Sequence, residues 1–377
     1  MGIDAVIIGG SLGGLSTALA LKSIDCNVNL FERSPHEMKS RGAGLVVQMD
    51  LVTFLKKHGI ATEESISVPA YKRQYISKNG DIQLEERTLQ LMTSWDNIYR
   101  QLKNALPNNL YHNGKRLVSF TQNNDYVVAE FEDGHNEKCD LLVGSDGPRS
   151  TIRQQLLPEV LPKYAGYVAW RGVLDEIKVS DNIRQFFANK FTFFNGKNTH
   201  ILCYLIPGSN GELDEGKRRL NWVWYVNILE ENKLQSLLID RHEIKRDFSI
   251  PQGEVKEEHI KKQKEIAQNV LPNVFKEIVI ATREPFIQTI FDLSVPKMAF
   301  GRICIIGDAA FVPRPHTAAS TSKAATNAMV LANFLAGSSK LDIVEALKRW
   351  EPSQLALGNY LKDLGIYLGN RSQFNQI

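Results

Sequence analysis

A short apolar run followed by a glycine-rich turn stands near the start of the chain and limits the folds that it can adopt. Residues 4–8 read DAVII, and residues 9–15 read GGSLGGL. An uninterrupted apolar run that is rich in β-branched residues is typical of a buried parallel strand. Apolar residues at helical spacing follow, and residues 27–32, which read NVNLFE, predict a second strand. The order of strand, turn, helix and strand indicates a parallel α/β sheet.

The turn almost matches the pattern G-x-G-x-x-G, but Ser11 replaces the middle glycine. Gly9 suits the tight turn, Gly13 leaves room at the helix start, and Gly14 allows the helix to pack closely on the strand. The helix N-terminus offers unpaired N–H groups and a positive dipole to an anion. Glu32 lies 23 residues after Gly9, at the spacing where an acid accepts hydrogen bonds from an adenosine ribose. These residues predict a dinucleotide site that suits FAD and NAD equally well, and the alternative is a glycine-rich turn without a ligand.

Composition sets the broad class of the protein. The 377 residues are enough for two or three domains, and 43% hydrophobic with 23% charged residues is ordinary for a globular protein. A net charge of +3 gives no indication of a nucleic-acid partner. The eight histidines and four cysteines lack metal-ligand spacing, so we expect no metal site. Separate thiols, no secretory leader and no apolar run of about 18 residues lead us to expect a cytoplasmic protein without a membrane span.

Two later motifs place carboxylates at the ends of predicted strands. Asp146 and Gly147 follow the apolar run DLLVGS and precede PRSTIR. Gly307 and Asp308 follow a buried strand at 303–306 and precede a proline-rich loop and a helix from about 318 to 336. Strand ends of this kind face the ligand crevice of an α/β sheet. A carboxylate there suits a polyhydroxy chain such as ribitol, and the following helix directs its positive N-terminus into the same crevice.

In this order and at this spacing, the three motifs resemble the signatures of the class A flavoprotein monooxygenases, the p-hydroxybenzoate hydroxylase family. Those signatures are G-x-G-x-x-G, D-G-x-x-S-x-x-R and G-D-A-A-x-x-x-x-P, and the second and third fall at 146–153 and 307–315 here. The resemblance covers nearly the whole chain. Three further stretches look like the 2,6-dihydroxypyridine hydroxylase branch, which also tolerates serine in the first motif: RGAGLVVQ (41–48), YAGYVAWRGVL (164–174) and PRPHTAAS (313–320).

The resemblance implies an α/β fold with a Rossmann-like FAD-binding domain, an inserted antiparallel-sheet substrate domain and C-terminal helices. We place these at 1–160 plus 285–337, at 161–284 and at 338–377. It also implies noncovalent FAD, NADH or NADPH as a diffusible reductant, and O2, with a flavin C4a-hydroperoxide that hydroxylates an electron-rich aromatic or N-heteroaromatic compound. The expected cofactor contacts are Gly9, Ser11, Leu12, Gly13, Gly14, Glu32, Arg33, Gly44, Asp146, Gly147, Gly307, Asp308, Pro315, Ala318 and Ala319.

Four residues are candidates for contact with the substrate. His316 is the one histidine beside the expected flavin edge, and we predict that it orients or deprotonates the substrate. The alternative is a loop histidine that is bonded to the backbone. Arg171, Tyr204 and Tyr225 lie in strands of the expected substrate domain, although Arg171 equally suits a domain interface.

The chain departs from the family pattern at two places. Residues 317–320, which read TAAS, replace a Gly-Gln-Gly-rich loop, and Trp95 stands where many members have an arginine. The first change narrows the loop but leaves its amides available, and the second removes one expected flavin contact. Two rival functions stay open at this point: a nicotinamide-dependent dehydrogenase and a non-enzymatic FAD-binding redox protein. A homodimer is a further hypothesis.

Overall fold

The computed structural model describes residues 2–36, 38 and 43–374, so Arg41 and Gly42 of the stretch RGAGLVVQ lie outside the described residues. The strands are β1 Asp4–Ile8, β2 Asn27–Glu32, β3 Gly44–Val46, β4 Val68–Ile76, β5 Ile82–Ser94, β6 Tyr111–Asn113, β7 Leu117–Gln122, β8 Val127–Phe131, β9 Asn136–Cys139, β10 Leu141–Gly144, β11 Lys163–Asp175, β12 Lys190–Gly196, β13 Thr199–Ile206, β14 Arg219–Asn227, β15 Ser249–Ile250, β16 Phe286–Ser294, β17 Ala299–Phe300, β18 Ile303–Ile305 and β19 Phe311–Val312. The helices are α1 Leu12–Lys22, α2 Met49–Lys57, α3 Glu63–Ile66, α4 Trp95–Ala105, α5 Thr151–Leu156, α6 Asp181–Phe187, α7 Glu231–Leu237, α8 Glu257–Val270, α9 Asn273–Ala281, α10 Ser320–Leu335 and α11 Ile343–Phe374.

A six-stranded sheet carries the glycine turn and both later motifs. Its order is β17-β18-β10-β1-β2-β6, and β1 runs parallel to β2 and β10, while β10 runs parallel to β18. The glycine turn follows β1, Asp146 follows β10 and Asp308 follows β18. Because carboxyl ends of parallel strands meet at one edge, the three motifs are brought together there. This arrangement confirms the predicted α/β fold class.

A larger sheet supplies the rest of the architecture. Its strand order is β15-β16-β11-β14-β13-β12-β4-β5-β3, with β19 paired to β16. The four strands expected in the middle of the chain are present as β11, β12, β13 and β14. However, β3, β4 and β5 also join this sheet, whereas the sequence analysis places residues 1–160 in the FAD-binding domain. The reason is a parallel pairing of β4 with β12, across which Gln74 Nε2 donates to Thr192 Oγ1 at 2.9 Å, and no local pattern reveals a contact 118 residues apart.

Alternation along the strands of the larger sheet separates a core face from a cleft face. On β14, Trp222 and Trp224 are fully buried and pack with α8 and α9 in one hydrophobic core. Val223 and Tyr225 point to the opposite face, which lines a cleft. The aromatic residues of the middle segment are therefore divided between structural packing and the cleft wall.

The C-terminal region forms one long helix, Ile343–Phe374, with Pro352 inside it, where the sequence suggested several helices. Its glycines allow close approach to the loop after β18. A Cβ at Gly365 would meet the Arg314 backbone nitrogen at 2.8 Å, and a Cβ at Gly369 would meet the Tyr167 hydroxyl at 2.5 Å. These two glycines therefore let the helix pack closely on Arg314, which follows β19, and on Tyr167 of β11. Within the described part of the chain, no helix has both the length and the apolar character needed to cross a membrane.

Candidate active site

A cleft of about 2220 Å³ is lined by residues of both large sheets. Fourteen of the fifteen predicted cofactor residues and all four predicted substrate residues line it. The exception is Gly14, where a Cβ would lie 1.8 Å from the Gly9 carbonyl oxygen. Gly14 therefore allows the close packing of α1 on the strand end, as its place in the motif predicts.

The glycine turn has the geometry of an anion cradle. Gly9 has a φ of +104°, and a Cβ there would lie 2.4 Å from the Ser145 carbonyl oxygen, so only glycine fits. Ser11 is the N-cap of α1 in an extended conformation, and its side chain makes no capping hydrogen bond. The first-turn N–H groups of α1 thus remain available to an anion. The serine in the motif leaves this property intact.

Glu32 stabilises the local backbone, in addition to its predicted contact with an adenosine ribose. Its buried carboxylate accepts hydrogen bonds from Gly10 N and Ser34 N, each at 2.8 Å. These bonds tie the end of β2 to the glycine turn. Since an ionised carboxylate has about four lone-pair positions, Glu32 still has capacity to accept hydrogen bonds from ribose hydroxyls at the cleft.

Asp308 is paired with a lysine that sequence reasoning missed. Asp308 Oδ1 lies 3.1 Å from Lys323 Nζ, and the lysine side chain is 1% exposed while the aspartate is 40% exposed. Lys323 also donates to the Phe311 carbonyl oxygen. Burial lowers the pKa of Lys323, and the charge of Asp308 opposes that shift. The pair holds the Asp308 carboxylate at the cleft, close to the start of α10.

Asp146 is built into the start of α5. Its Oδ2 accepts a hydrogen bond from Thr151 N at 2.7 Å, and burial raises the pKa of the carboxyl group. Its Oδ1 is buried and has no hydrogen-bond partner within the described residues. Arg153, on the same helix, donates to the Ala309 carbonyl oxygen at 2.9 Å. This bond connects the central motif with the motif after β18.

One face of the larger sheet forms the other wall of the cleft. The predicted residues Arg171, Tyr204 and Tyr225 lie on it, on three adjacent strands. Sequence reasoning missed several neighbours on the same face: Arg73, Tyr75, Phe191, Phe193 and His200. The alternation of β13, in which His200, Leu202 and Tyr204 share a face, is the signal that identifies His200 once Tyr204 is placed in the cleft.

His316 lies at the junction of the two walls. Its Nε2 is 3.1 Å from the Tyr167 hydroxyl oxygen, and its ring centroid is 4.5 Å from that of Tyr225. Burial lowers the pKa of His316 well below its usual value, and the nearby His200, Arg314 and Arg171 contribute in the same direction. The imidazole is therefore neutral near pH 7. Among the described residues, the hydrogen-bond partner of its Nε2 is the Tyr167 side chain and not the backbone.

His200 approaches the cleft from β13 and is held by the C-terminal helix. Its Nδ1 is 2.7 Å from Ser372 Oγ, and its buried Nε2 has no partner within the described residues. Burial lowers the pKa of His200 to about 4, and the positive charge of Arg73 makes a smaller contribution in the same direction. A second neutral imidazole thus contributes an unsatisfied nitrogen to this wall.

The two departures from the family pattern have distinct local consequences. Ala318 adopts a left-handed conformation with a φ of +53°, which glycine tolerates better than alanine. Trp95 lines the cleft and stacks on Tyr99, with ring centroids 4.9 Å apart. An indole ring therefore occupies the place where an arginine side chain was expected from the family pattern.

Comparisons with known proteins agree with this geometry. A family model described as FAD binding domain-like matches residues 164–292. The chain is 34% identical to 2,6-dihydroxypyridine 3-monooxygenase of Paenarthrobacter nicotinovorans, over 94% of this chain and 87% of that protein. It is 27% identical to 6-hydroxynicotinate 3-monooxygenase of Pseudomonas fluorescens, over 87% and 81%.

Solved structures show the same likeness. The 2,6-dihydroxypyridine-3-hydroxylase from Arthrobacter nicotinovorans superposes with a TM-score of 0.94 and 32% identity, over 100% of this chain and 94% of that one. The HpxO protein of Klebsiella pneumoniae, solved with FAD and uric acid, gives a TM-score of 0.78 at 19% identity, over 98% and 88%. At 19% identity, the likeness to HpxO shows a shared fold only.

Proposed function

Because this chain belongs to the family of FAD-dependent aromatic monooxygenases, we propose that it hydroxylates an N-heteroaromatic ring bearing ionisable hydroxyl groups. Membership rests on 34% identity across 94% of the chain. The chain is accordingly an enzyme that uses FAD, NAD(P)H and O2, which removes the dehydrogenase and the non-enzymatic redox protein as alternatives. The first substrate to test is 2,6-dihydroxypyridine, on which the 34% identical relative is named to act.

The cleft residues fit FAD. The cradles at Gly9 and Gly14, which a Cβ would fill, leave the start of α1 open to a pyrophosphate. We assign Glu32 to the adenosine ribose and Asp308 to the ribitol, because both carboxylates lie at the cleft. When bound, FAD supplies the reduced flavin that activates O2 for transfer to the substrate. The N-terminus of α10 faces the cleft and favours negative charge on the cofactor.

The observation that carries the substrate proposal is a pair of arginines on an aromatic wall, each with one N–H group that has no hydrogen-bond partner among the described residues. Arg73 Nε and Arg171 Nε are buried without hydrogen-bond partners in the described protein. The Arg73 guanidinium lies 4.8 Å from the centroid of Phe193. Cations placed near a substrate hydroxyl favour its ionised form. An ionised hydroxyl enriches the ring in electrons, as electrophilic oxygen transfer requires, while the aromatic side chains exclude water from the reaction.

A substrate screen tests this function. NAD(P)H oxidation and product formation would be followed in air with 2,6-dihydroxypyridine, 6-hydroxynicotinate and salicylate. We expect the dihydroxypyridine to stimulate oxidation most. Arg171→Gln should lower kcat/KM about tenfold to a hundredfold, since hydrogen bonds to charged groups contribute about 1.5–3 kcal/mol. The matched control is Arg349→Gln, an exposed arginine of α11 outside the cleft. Stimulation by salicylate alone would refute the proposed substrate class.

The role of His316 can be tested by measuring how efficiently NAD(P)H oxidation is coupled to hydroxylation of the substrate. His316 lies in the cleft, and its substitution leaves the proposed ribose and ribitol anchors Glu32 and Asp308 in place, so FAD should remain bound in His316→Ala. If the imidazole orients the substrate, the variant forms less hydroxylated product for each NAD(P)H consumed and releases more hydrogen peroxide. Peroxide yield at substrate saturation measures this difference. Equal yields and equal hydroxylation rates in both proteins would make His316 a structural loop residue.

The remaining assignments are also proposals. We assign most FAD contacts to residues 1–160 plus 285–337, and the substrate wall to residues 161–284 together with β4 and β5. The helix at 343–374 closes one side of the cleft through Ser372. A reducing, cytoplasmic setting is supported by four buried cysteines that form no disulfide. We also propose a homodimer, which sedimentation of the FAD-loaded protein would test.

A further inference from the structure

A chain of charged and polar side chains leads from the protein interior to His316. Arg314 precedes His316 by two residues and is almost completely buried. Its Nε and Nη2 donate to the two carboxylate oxygens of Asp292, at 2.9 and 2.7 Å. Its Nη1 donates to Asn370 Oδ1 on the C-terminal helix, at 2.8 Å. A bidentate pair with this third bond fixes the guanidinium in one orientation.

Burial restricts the hydrogen bonding of Tyr167. Tyr167 has no exposed surface, and the Arg314 guanidinium carbon lies 5.7 Å from the centroid of its ring. The Tyr167 hydroxyl proton needs an acceptor, because a buried donor without a partner is unfavourable. In the described protein, the acceptor within reach is His316 Nε2, at 3.1 Å.

Placing the His316 proton on Nε2 would leave one hydrogen-bond donor of this network without an acceptor. If His316 carried its proton on Nε2, it would donate to the tyrosine oxygen, and the buried Tyr167 hydroxyl proton would have no acceptor. A doubly protonated ring has the same defect, and it would stand near the positive charges of Arg314 and Arg171. Only an unprotonated Nε2 satisfies all the donors at once.

We propose that Tyr167 is a positioning residue that fixes His316 as the Nδ1–H tautomer, so that the imidazole presents a hydrogen-bond donor to the cleft. His316 lines the cleft, and its Nδ1 has no partner among the described residues. The ring therefore donates to an acceptor on the bound substrate, such as a ring carbonyl or an ionised hydroxyl oxygen, and does not act as a base. The tautomer follows from hydrogen bonding alone, whereas its role toward a substrate rests on the proposed function.

Nitrogen-15 spectroscopy of the FAD-loaded protein tests the tautomer directly. Ring nitrogen shifts of 15N-histidine-labelled protein distinguish protonated from unprotonated Nδ1 and Nε2, and the signal absent from His316→Asn identifies His316. We expect a protonated Nδ1 and an unprotonated Nε2 in the wild type, and a mixture of tautomers in Tyr167→Phe. Tyr225→Phe is the control, because its ring contacts His316 without a hydrogen bond. A protonated Nε2 in the wild type, or an unchanged spectrum in Tyr167→Phe, would overturn the proposal.

Substrate binding tests the role of the donor. Binding of 2,6-dihydroxypyridine would be measured without reductant, from the change in flavin absorbance. An asparagine amide places an N–H close to the position of Nδ1, and a glutamine amide places one close to Nε2. We expect His316→Ala to bind the probe about two- to tenfold more weakly, and His316→Asn to recover most of this loss. Recovery by His316→Gln alone would overturn the donor assignment. A wild type that ignores the probe refutes the proposed substrate, while the spectrum still decides the tautomer.

Discussion

Replacing Asp308 by asparagine should weaken both the fold and the cofactor site, by two routes that a second substitution separates. The Lys323 side chain is 1% exposed, and Asp308 is its one carboxylate partner in the described protein, at 3.1 Å. Removing one member of a fully buried pair costs about 3–5 kcal/mol, because a charge is left without compensation. Asp308 is 40% exposed, so water compensates part of that loss. We therefore expect the free energy of unfolding of the apoprotein to fall by about 2 kcal/mol.

The second substitution, Lys323→Met, removes the charge that Asp308→Asn leaves behind. The double variant should recover most of the lost stability, because neither a buried ammonium nor its partner remains. Its affinity for FAD should not recover. The carboxylate that we assign to the ribitol is still absent, and a loss of about 1.5 kcal/mol corresponds to roughly tenfold weaker binding.

Urea unfolding of the apoprotein and FAD titration by flavin fluorescence measure the two effects on the same four proteins. A coupling free energy of about 1–2 kcal/mol between the two positions is expected from the double-mutant cycle. Additive changes in stability would show that the pair does not act as described. Full recovery of FAD affinity in the double variant would mean that Asp308 acts only through Lys323 and not on the cofactor.

Three further outcomes are expected. FAD should be noncovalent, so acid precipitation should release the yellow chromophore, and a coloured pellet would contradict this. Ala318→Gly should raise the free energy of unfolding by about 0.5–1 kcal/mol by relieving the left-handed strain, and an unchanged or lower value would contradict this. Stability should also decline as the pH falls from 6.5 toward 4, because an unfolded His200 binds a proton that the folded state, with a pKa of about 4, does not. His200→Gln should flatten this decline, and an unchanged pH profile would exclude His200 as its source.

The part of the cleft that we assign to FAD was predictable in its geometry, because its determinants are local. The turn at Gly9 requires glycine for its φ of +104°, and the strand before it fixes the direction of the helix. The ends of β10 and β18 follow the same logic, so Asp146 and Asp308 lie at the expected edge. The burial of Lys323 could not be predicted from the sequence, because a lysine in a helical pattern normally indicates a solvent-exposed face. Its burial depends on the segment after β18, which supplies the Asp308 carboxylate and the Phe311 carbonyl oxygen.

The wall that we assign to the substrate was predictable only in part, because both faces of the larger sheet carry many apolar side chains. Alternation along β13 places Ile201 and Cys203 on one face of the sheet and His200 and Tyr204 on the other. The sequence does not indicate which of the two faces packs against the helices. The polar side chains on one of the two faces distinguish it from the face that packs in the core. A buried His200 Nε2 or Arg171 Nε without a protein partner is costly in a closed core. Such atoms are tolerated where water or a ligand completes their hydrogen bonds, and for this reason we assign the substrate to the face that carries them.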